Sequence, residues 1–304
     1  MRAGVVGAGR WATTLAAKLS AFGVWIGGHS RREATPARGM GALVRPWQGL
    51  IGGSDLLGVS DLIVAATSSP SLNAEIVVEC ARRGVAVLAT KPIDLPEEIC
   101  RPGALRAPVV VDYVHLFSPV YRAMKERVRR SPEIRVEGLV VEMSGPDAHR
   151  PFPASEDYGA HAAAIYRDLI GTAGPVKVHA AKAIEGGIHA ALEVGGTKIV
   201  YRAGVGKPCR QAYVSRGGVG DLCYSEAEPR ASGARSATLT GFDGAYLAAA
   251  DPHDPLAALC GYVIRSVMRG CTSTYFAELS RVVSADLRAV SLAAAPAAVR
   301  RAVG

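Results

Sequence analysis

Residues 2–22 limit the fold more than any other stretch of this 304-residue chain. Arg2–Val6 is short, apolar and β-branched, and Gly7-Ala8-Gly9-Arg10-Trp11-Ala12 follows it directly. Residues 13–22 then carry helical spacing at Leu15, Ala16 and Leu19. A G-x-G-x-x-A run is weak alone, but between a strand and a helix it reads as the turn of a dinucleotide-binding unit. Gly7 permits the sharp turn and Gly9 lets a pyrophosphate approach the backbone. Ala12 keeps the helix close to the strand, and the helix N-terminus offers N–H groups to the anion. The same residues also suit a glycine turn with no ligand.

The second strand is expected over residues 23–26. NAD sites place an acid near the end of this strand, to accept from the ribose 2′-hydroxyl. Here the chain reads Gly27-Gly28-His29-Ser30-Arg31-Arg32, with no acid before Glu33. A hydroxyl followed by two guanidiniums suits a 2′-phosphate, so NADP is preferred over NAD. A solvated basic loop is the plainer reading of the same residues.

Strand and helix then alternate. Strands are expected over 61–67, 85–89 and 108–111, and helices over 71–83, stopped by Gly84, and 119–130. This pattern predicts an α/β chain with an N-terminal, doubly wound parallel Rossmann sheet. Ligands of such sheets sit beyond the carboxyl ends of the strands, here 7–12, 30–32, 67–70, 90–92 and 112–115. The residues expected to hold the cofactor are Gly7, Gly9, Arg10, Trp11, Ala12, Ser30, Arg31, Arg32, Thr67, Ser68, Asn73, Lys91 and Pro92.

From about Val136 the pattern changes to short strands, expected over 136–144, 176–181, 188–194, 198–202, 211–215 and 222–225, broken by glycine turns. They predict an α+β C-terminal domain with a mostly antiparallel sheet, whose polar character suits a substrate wall and an oligomer surface. Gly217-Gly218-Val219-Gly220 precedes a strand rather than a helix and reads as a turn. Helices over 256–268 and 274–294 close the chain and are expected to pack back on the first domain. The expected domains are 1–135, for the dinucleotide, and 136–304, for substrate and oligomerisation.

Composition narrows the function classes. No apolar run reaches eighteen residues, so no membrane span is expected, and residues 1–21 lack the compact apolar stretch of a signal peptide. A cytoplasmic protein is expected. The net charge is +8, but the basic residues are dispersed and not interleaved with aromatics. Their densest groups, Arg127-Arg129-Arg130 and Arg300-Arg301, read as solvated helix faces or ends, so no nucleic-acid partner is expected. The six Cys show no metal-like spacing and read as buried thiols; no metal is expected. Asn occurs once, at Asn73, which suits a hot-living source, while the Arg and Ala content equally suits a GC-rich genome.

Four segments, taken in order, carry a resemblance. They are 4–12 (GVVGAGRWA), 62–84 (LIVAATSSPSLNAEIVVECARRG) with the strand leading to Ala89-Thr90-Lys91-Pro92, 113–125 (YVHLFSPVYRAMK) and 157–171 (DYGAHAAAIYRDLIG). Together with the closing helices they span nearly the whole chain. The sequence resembles the Gfo/Idh/MocA family of glucose–fructose oxidoreductases and inositol dehydrogenases. It departs from the family twice: the Glu-Lys-Pro motif appears as Thr90-Lys91-Pro92, and a position usually held by His is Asn73.

Lys91 follows an apolar strand at the crevice, and only seven of the 35 basic residues are Lys. Its ammonium can hydrogen-bond a ribose and a substrate oxygen, and partial burial would lower its pKa toward an acid/base range. Asp157 and His161 lie four apart on an expected helix and so share a face, with the carboxylate able to orient the imidazole. The resemblance implies that this pair works opposite Lys91, with Lys91, His161 and Asp157 as the catalytic set. His115 and Tyr158 are expected to touch substrate, whereas His149, His179, His189 and His253 default to structural or surface roles. The resemblance implies an NADP-dependent oxidoreductase that moves a hydride to or from a carbonyl or hydroxyl carbon of a sugar, cyclitol or related polyhydroxy compound. It further implies a homo-oligomer, dimer or tetramer, formed through the C-terminal sheet. A reductase of a non-sugar ketone or imine, and a dinucleotide-binding sensor or scaffold without turnover, stay open.

Overall fold

The structure, a computed structural model, describes residues 1–30, 42–43, 46–52, 60–130, 136–146, 152–216, 220–227, 235–241 and 245–296. Arg31, Arg32, Glu33, His149, Gly217, Gly218, Val219, Arg300 and Arg301 lie outside the described residues. The chain forms two compact units, Met1–Asp112 with Leu256–Arg281, and Tyr113–Pro255 with Val282–Gly304.

In the first unit the order is β1 (Arg2–Val6), α1 (Arg10–Ala21), β2 (Trp25–Ser30), β3 (Ala42–Leu43), α2 (Gln48–Gly52), β4 (Leu62–Ala65), α3 (Pro70–Arg83), β5 (Ala86–Ala89), α4 (Glu97–Cys100) and β6 (Val109–Val111). The strands form one parallel sheet in the order β3-β2-β1-β4-β5-β6. β4, β5 and β6 are buried along their whole length, which explains their unbroken Val, Leu, Ile and Ala runs. Strand order turns back between β1 and β4, the place where sheets of this class open a crevice.

Helix ends follow local chemistry. Ser69 caps α3 by accepting from the Leu72 N–H, Pro70 takes the first turn, and Gly84 ends the helix in the left-handed region at φ 69°. β2 departs from expectation by running on through Gly27 and Gly28 to Ser30. Its pairing with β1, Gly4 to Gly28 and Val6 to Ser30, overrides the weak strand preference of the glycines.

In the second unit a 3₁₀ turn (Val114–Phe117) leads to α5 (Pro119–Arg129), β7 (Gly138–Gly145), α6 (Ala154–Ile170), β8 (Lys177–Ile184), β9 (Gly187–Val194), β10 (Thr197–Val205), β11 (Cys209–Arg216), β12 (Gly220–Glu226), β13 (Ala237–Gly241) and β14 (Tyr246–Ala250). They form a sheet ordered β14-β13-β12-β11-β7-β10-β9-β8, antiparallel except where β7 meets β10. β13 and β14 are absent from the sequence reading because YLAAA has little strand character of its own; pairing with β12 extends the sheet over them. The chain closes with α7 (Pro255–Arg269) and α8 (Tyr275–Ala294).

One face of this sheet is core. Ala190, Tyr201, Val141, Ala212, Tyr224 and Leu239 lie in register across six strands, and all are buried. α6 packs on that face, and its small residues allow a close approach. A Cβ at Gly159 would stand 2.3 Å from the Tyr201 hydroxyl, so glycine is required there. At the far end of α6 the buried Arg167 forks onto Asp286 of α8 at 2.6 and 2.8 Å, and the Tyr166 hydroxyl donates to the same carboxylate. α6 therefore sits at a fixed height and rotation over the sheet.

The six cysteines are free thiols. Among the described residues no helix is long and apolar enough to cross a membrane, and no group of three His, Cys, Asp or Glu could hold a metal ion.

Candidate active site

One group of candidate residues lies at the carboxyl ends of the parallel strands. Gly7 leaves β1 at φ 119°, its N–H donates to the Ser30 carbonyl at 2.8 Å, and a Cβ there would stand 2.2 Å from the Ala66 oxygen. No other residue fits between the ends of β2 and β4. Gly9 caps α1 in extended backbone, and a Cβ there would meet nothing within 4 Å. Open space, a helix N-terminus and no acid in the first turn suit a pyrophosphate, so the turn fits the dinucleotide read from the sequence. Ala12 is fully buried beneath it, and Arg10 is exposed.

Asn73 lies in the first turns of α3. It is 0% exposed, and its amide is spent inside the protein. Its oxygen accepts from the Thr67 N–H at 3.1 Å and lies 2.8 Å from the Thr67 hydroxyl, while its nitrogen donates to the Thr90 hydroxyl at 3.0 Å. Asn73 thus joins the loops that follow β4 and β5. Ser68, between those loop positions, is exposed.

Lys91 and Pro92, joined by a cis peptide, follow β5 and are half-buried. The Lys91 N–H donates to Asp112 Oδ1 at 2.8 Å, and the Trp11 indole N–H donates to Asp112 Oδ2 at 2.6 Å. Asp112 ends β6 and is 1% exposed. Burial pushes its carboxyl up to about 6 against the opposing pull of the Lys91 charge and these hydrogen bonds. The sequence places Asp112 at the crevice but carries no sign of this role.

A second group of candidate residues forms a buried cluster within the other unit. His115 Nδ1 lies 2.8 Å from Glu226 Oε1, His253 Nε2 lies 3.2 Å from the same oxygen, and the Tyr224 hydroxyl donates to it at 2.5 Å. Arg210 and Arg235 approach the other oxygen at 3.8 and 3.7 Å. Burial alone would raise the Glu226 pKa. The His115 charge and the hydrogen bonds from His115, His253 and Tyr224 outweigh it and hold the carboxyl well below the usual range. An ionised carboxylate only accepts, so His115 Nδ1 and His253 Nε2 carry the protons that face it.

The His115 ring meets the ring of His161 edge to face, with centroids 4.7 Å apart. The structure therefore brings His115 and His161 together and places a carboxylate behind His115, which spacing does not reveal. Asp157 stands one turn before His161 in the first turn of α6, half-buried. Tyr158 is buried, and its hydroxyl fills the space beside Gly145, where a Cβ would stand 1.9 Å away. His253, read as structural or surface, belongs to the Glu226 cluster.

Solved structures share this architecture. KijD10, a 3-ketoreductase from Actinomadura kijaniata crystallised with TDP-benzene and NADP, is 19% identical, with 96% of this chain and 97% of that one covered and a TM-score of 0.74. GnnA, a UDP-N-acetylglucosamine 3-dehydrogenase from Acidithiobacillus ferrooxidans, is 18% identical over 95% and 96% of the two chains, with a TM-score of 0.68. The fold is theirs. No protein-family profile matches the sequence, and no curated protein does so either.

Proposed function

We propose that the chain is an NADP-dependent oxidoreductase of the Gfo/Idh/MocA type. It acts on a carbonyl or hydroxyl carbon of a sugar, and the two neighbours named above favour a nucleotide-linked sugar. The observation that carries this reading is the obligatory glycine at Gly7 beside the open helix terminus at Gly9. Gly7, Gly9, Ala12, Ser30, Thr67 and Ser68 would hold the dinucleotide, with Arg31 and Arg32 on the 2′-phosphate. Bound there, the nicotinamide supplies or accepts the hydride.

The chain's own residues handle the proton. Lys91 hydrogen-bonds the reacting oxygen through its ammonium, and His161 takes or returns the hydroxyl proton, with Asp157 as its orienter. His115, oriented by Glu226, neighbours His161 and lends a second imidazole to that proton path. A homo-oligomer is proposed through the outer face of the eight-stranded sheet. Tyr213, Val140, Val200 and Ala191 form an apolar row in register on that face, with Tyr213 39% and Val200 42% exposed.

A sensor without turnover is the second reading. It is favoured by Thr90, which stands where the family has an acid and whose hydroxyl accepts from Asn73. Titration of NADPH fluorescence followed by a panel of keto- and hydroxy-sugars, free and nucleotide-linked, separates the two. Turnover that is lost in Lys91→Ala and His161→Ala supports the enzyme. Tight NADPH binding with every substrate untouched identifies a sensor.

A further inference from the structure

The Thr90-Lys91-Pro92 segment holds a lysine and no acid, yet Lys91 is half-buried and joined to a carboxylate from the next strand. Asp112 follows β6, which pairs in parallel with β5 so that Ala89 faces Val111, and the Asp112 N–H donates to the Ala89 carbonyl at 3.0 Å. The two strand ends are therefore locked side by side, one residue before Thr90 and at Asp112. Both carboxylate oxygens are used, one by the Lys91 N–H at 2.8 Å and one by the Trp11 indole at 2.6 Å. Trp11 is the second residue of α1, two positions after Gly9. The Thr90 hydroxyl meanwhile accepts from Asn73.

We propose that Asp112 is the positioning residue for Lys91: it supplies from β6 the negative charge absent at Thr90, and it ties the Lys91 segment to the first turn of α1 through Trp11. The proposal rests on the reading of Lys91 as a working lysine, but it concerns a coupling inside this unit that exists whether or not the protein turns over a substrate.

The geometry favours a functional carboxylate over a simple anchor. The two donors come from separate segments onto separate oxygens, an arrangement that a carboxylate with two acceptor atoms provides and that Asn or Ser, with one acceptor atom each, does not. A buried carboxylate costs stability unless a charge and hydrogen bonds compensate it, and Lys91 is the charged neighbour whose field acts on Asp112. The coupling is reciprocal: a carboxylate that gains from the lysine charge must favour the charged lysine by the same amount.

The test is the reactivity of Lys91 toward acetic anhydride across a pH series, read by mass spectrometry on the Lys91 peptide of the full chain. In Asp112→Asn the midpoint of Lys91 labelling is expected to fall by about one pH unit, and Asp112→Glu is expected to restore most of it. A midpoint unchanged in Asp112→Asn overturns the proposal. If Asp112→Asn does not fold, the reciprocal measurement decides. In a Trp25→Phe, Trp47→Phe background, Trp11 emission should follow Asp112 with a midpoint near 6. Lys91→Met should move that midpoint upward by about one unit, and an unmoved midpoint overturns the proposal. Neither readout involves turnover, so a coupled Lys91 in a protein that reduces no sugar would count against the proposed enzyme and leave Asp112's role standing.

Discussion

The Asn73 amide donates to the Thr90 hydroxyl at 3.0 Å, so the two positions where the chain departs from its family resemblance form a single contact. A neutral amide–hydroxyl pair stands where the family pattern would bring a histidine and a glutamate. Both residues are buried, and a change at one is felt at the other. Asn73→Ala leaves the Thr67 N–H without its acceptor and is expected to cost about 1–3 kcal/mol by denaturant unfolding. Thr90→Glu alone should destabilise, and Asn73→His with Thr90→Glu should recover part of that loss. Additive losses in the double variant would show that the two positions are independent.

Gly7 and Gly9 separate folding from binding. Gly7→Ala drives a Cβ into the Ala66 carbonyl at a positive φ and is expected to cost about 2 kcal/mol or more. Gly9→Ala meets open space in ordinary backbone, so thermal unfolding should barely change. NADPH affinity in Gly9→Ala is nevertheless expected to fall at least about tenfold, because the added methyl occupies the path of the pyrophosphate.

These two glycines also show what the sequence made legible. A strand, a G-x-G-x-x-A turn and a helix are local features, as are the Ser69 cap, Pro70 and the Gly84 stop, and each appears where local chemistry puts it. Glu226 is different. Nothing in Tyr224-Ser225-Glu226-Ala227 distinguishes it from a solvated strand-end acid. Only sheet pairing and chain return bring residues 115, 210, 235 and 253 around it. The partners of Asp112 and Asn73 are hidden for the same reason, since they lie 6 to 101 residues away. β13 and β14 likewise exist through pairing rather than propensity.

The Glu226 cluster carries a pH signature. The carboxyl is held below its ordinary value, so its contribution to stability is complete above about pH 4.5 and is lost as pH falls through the acid range. Glu226→Gln is expected to lower stability by about 3 kcal/mol at pH 7, because two histidines and two arginines lose their carboxylate. The difference from the wild type should shrink toward about pH 3. A difference independent of pH would show that the carboxylate is not the stabilising partner.

The outer sheet face offers a test of assembly. Val200→Lys with Tyr213→Lys places two charges in the exposed apolar row while leaving the inner face untouched. Light scattering on size-exclusion eluates should show the wild type as a dimer or tetramer and the double variant as a smaller species with unchanged circular dichroism.

Isotope transfer tests the proposed hydride delivery to a sugar carbon. NADPH deuterated at C4 is supplied with keto-sugars, free and nucleotide-linked, and the product is analysed by mass spectrometry. Wild-type protein is expected to deliver one deuterium, as deuteride, to the former carbonyl carbon, and Lys91→Ala to lower the rate by at least about 100-fold while still binding NADPH. Bound NADPH with no deuterium in any product would show that the protein transfers no hydride to a sugar.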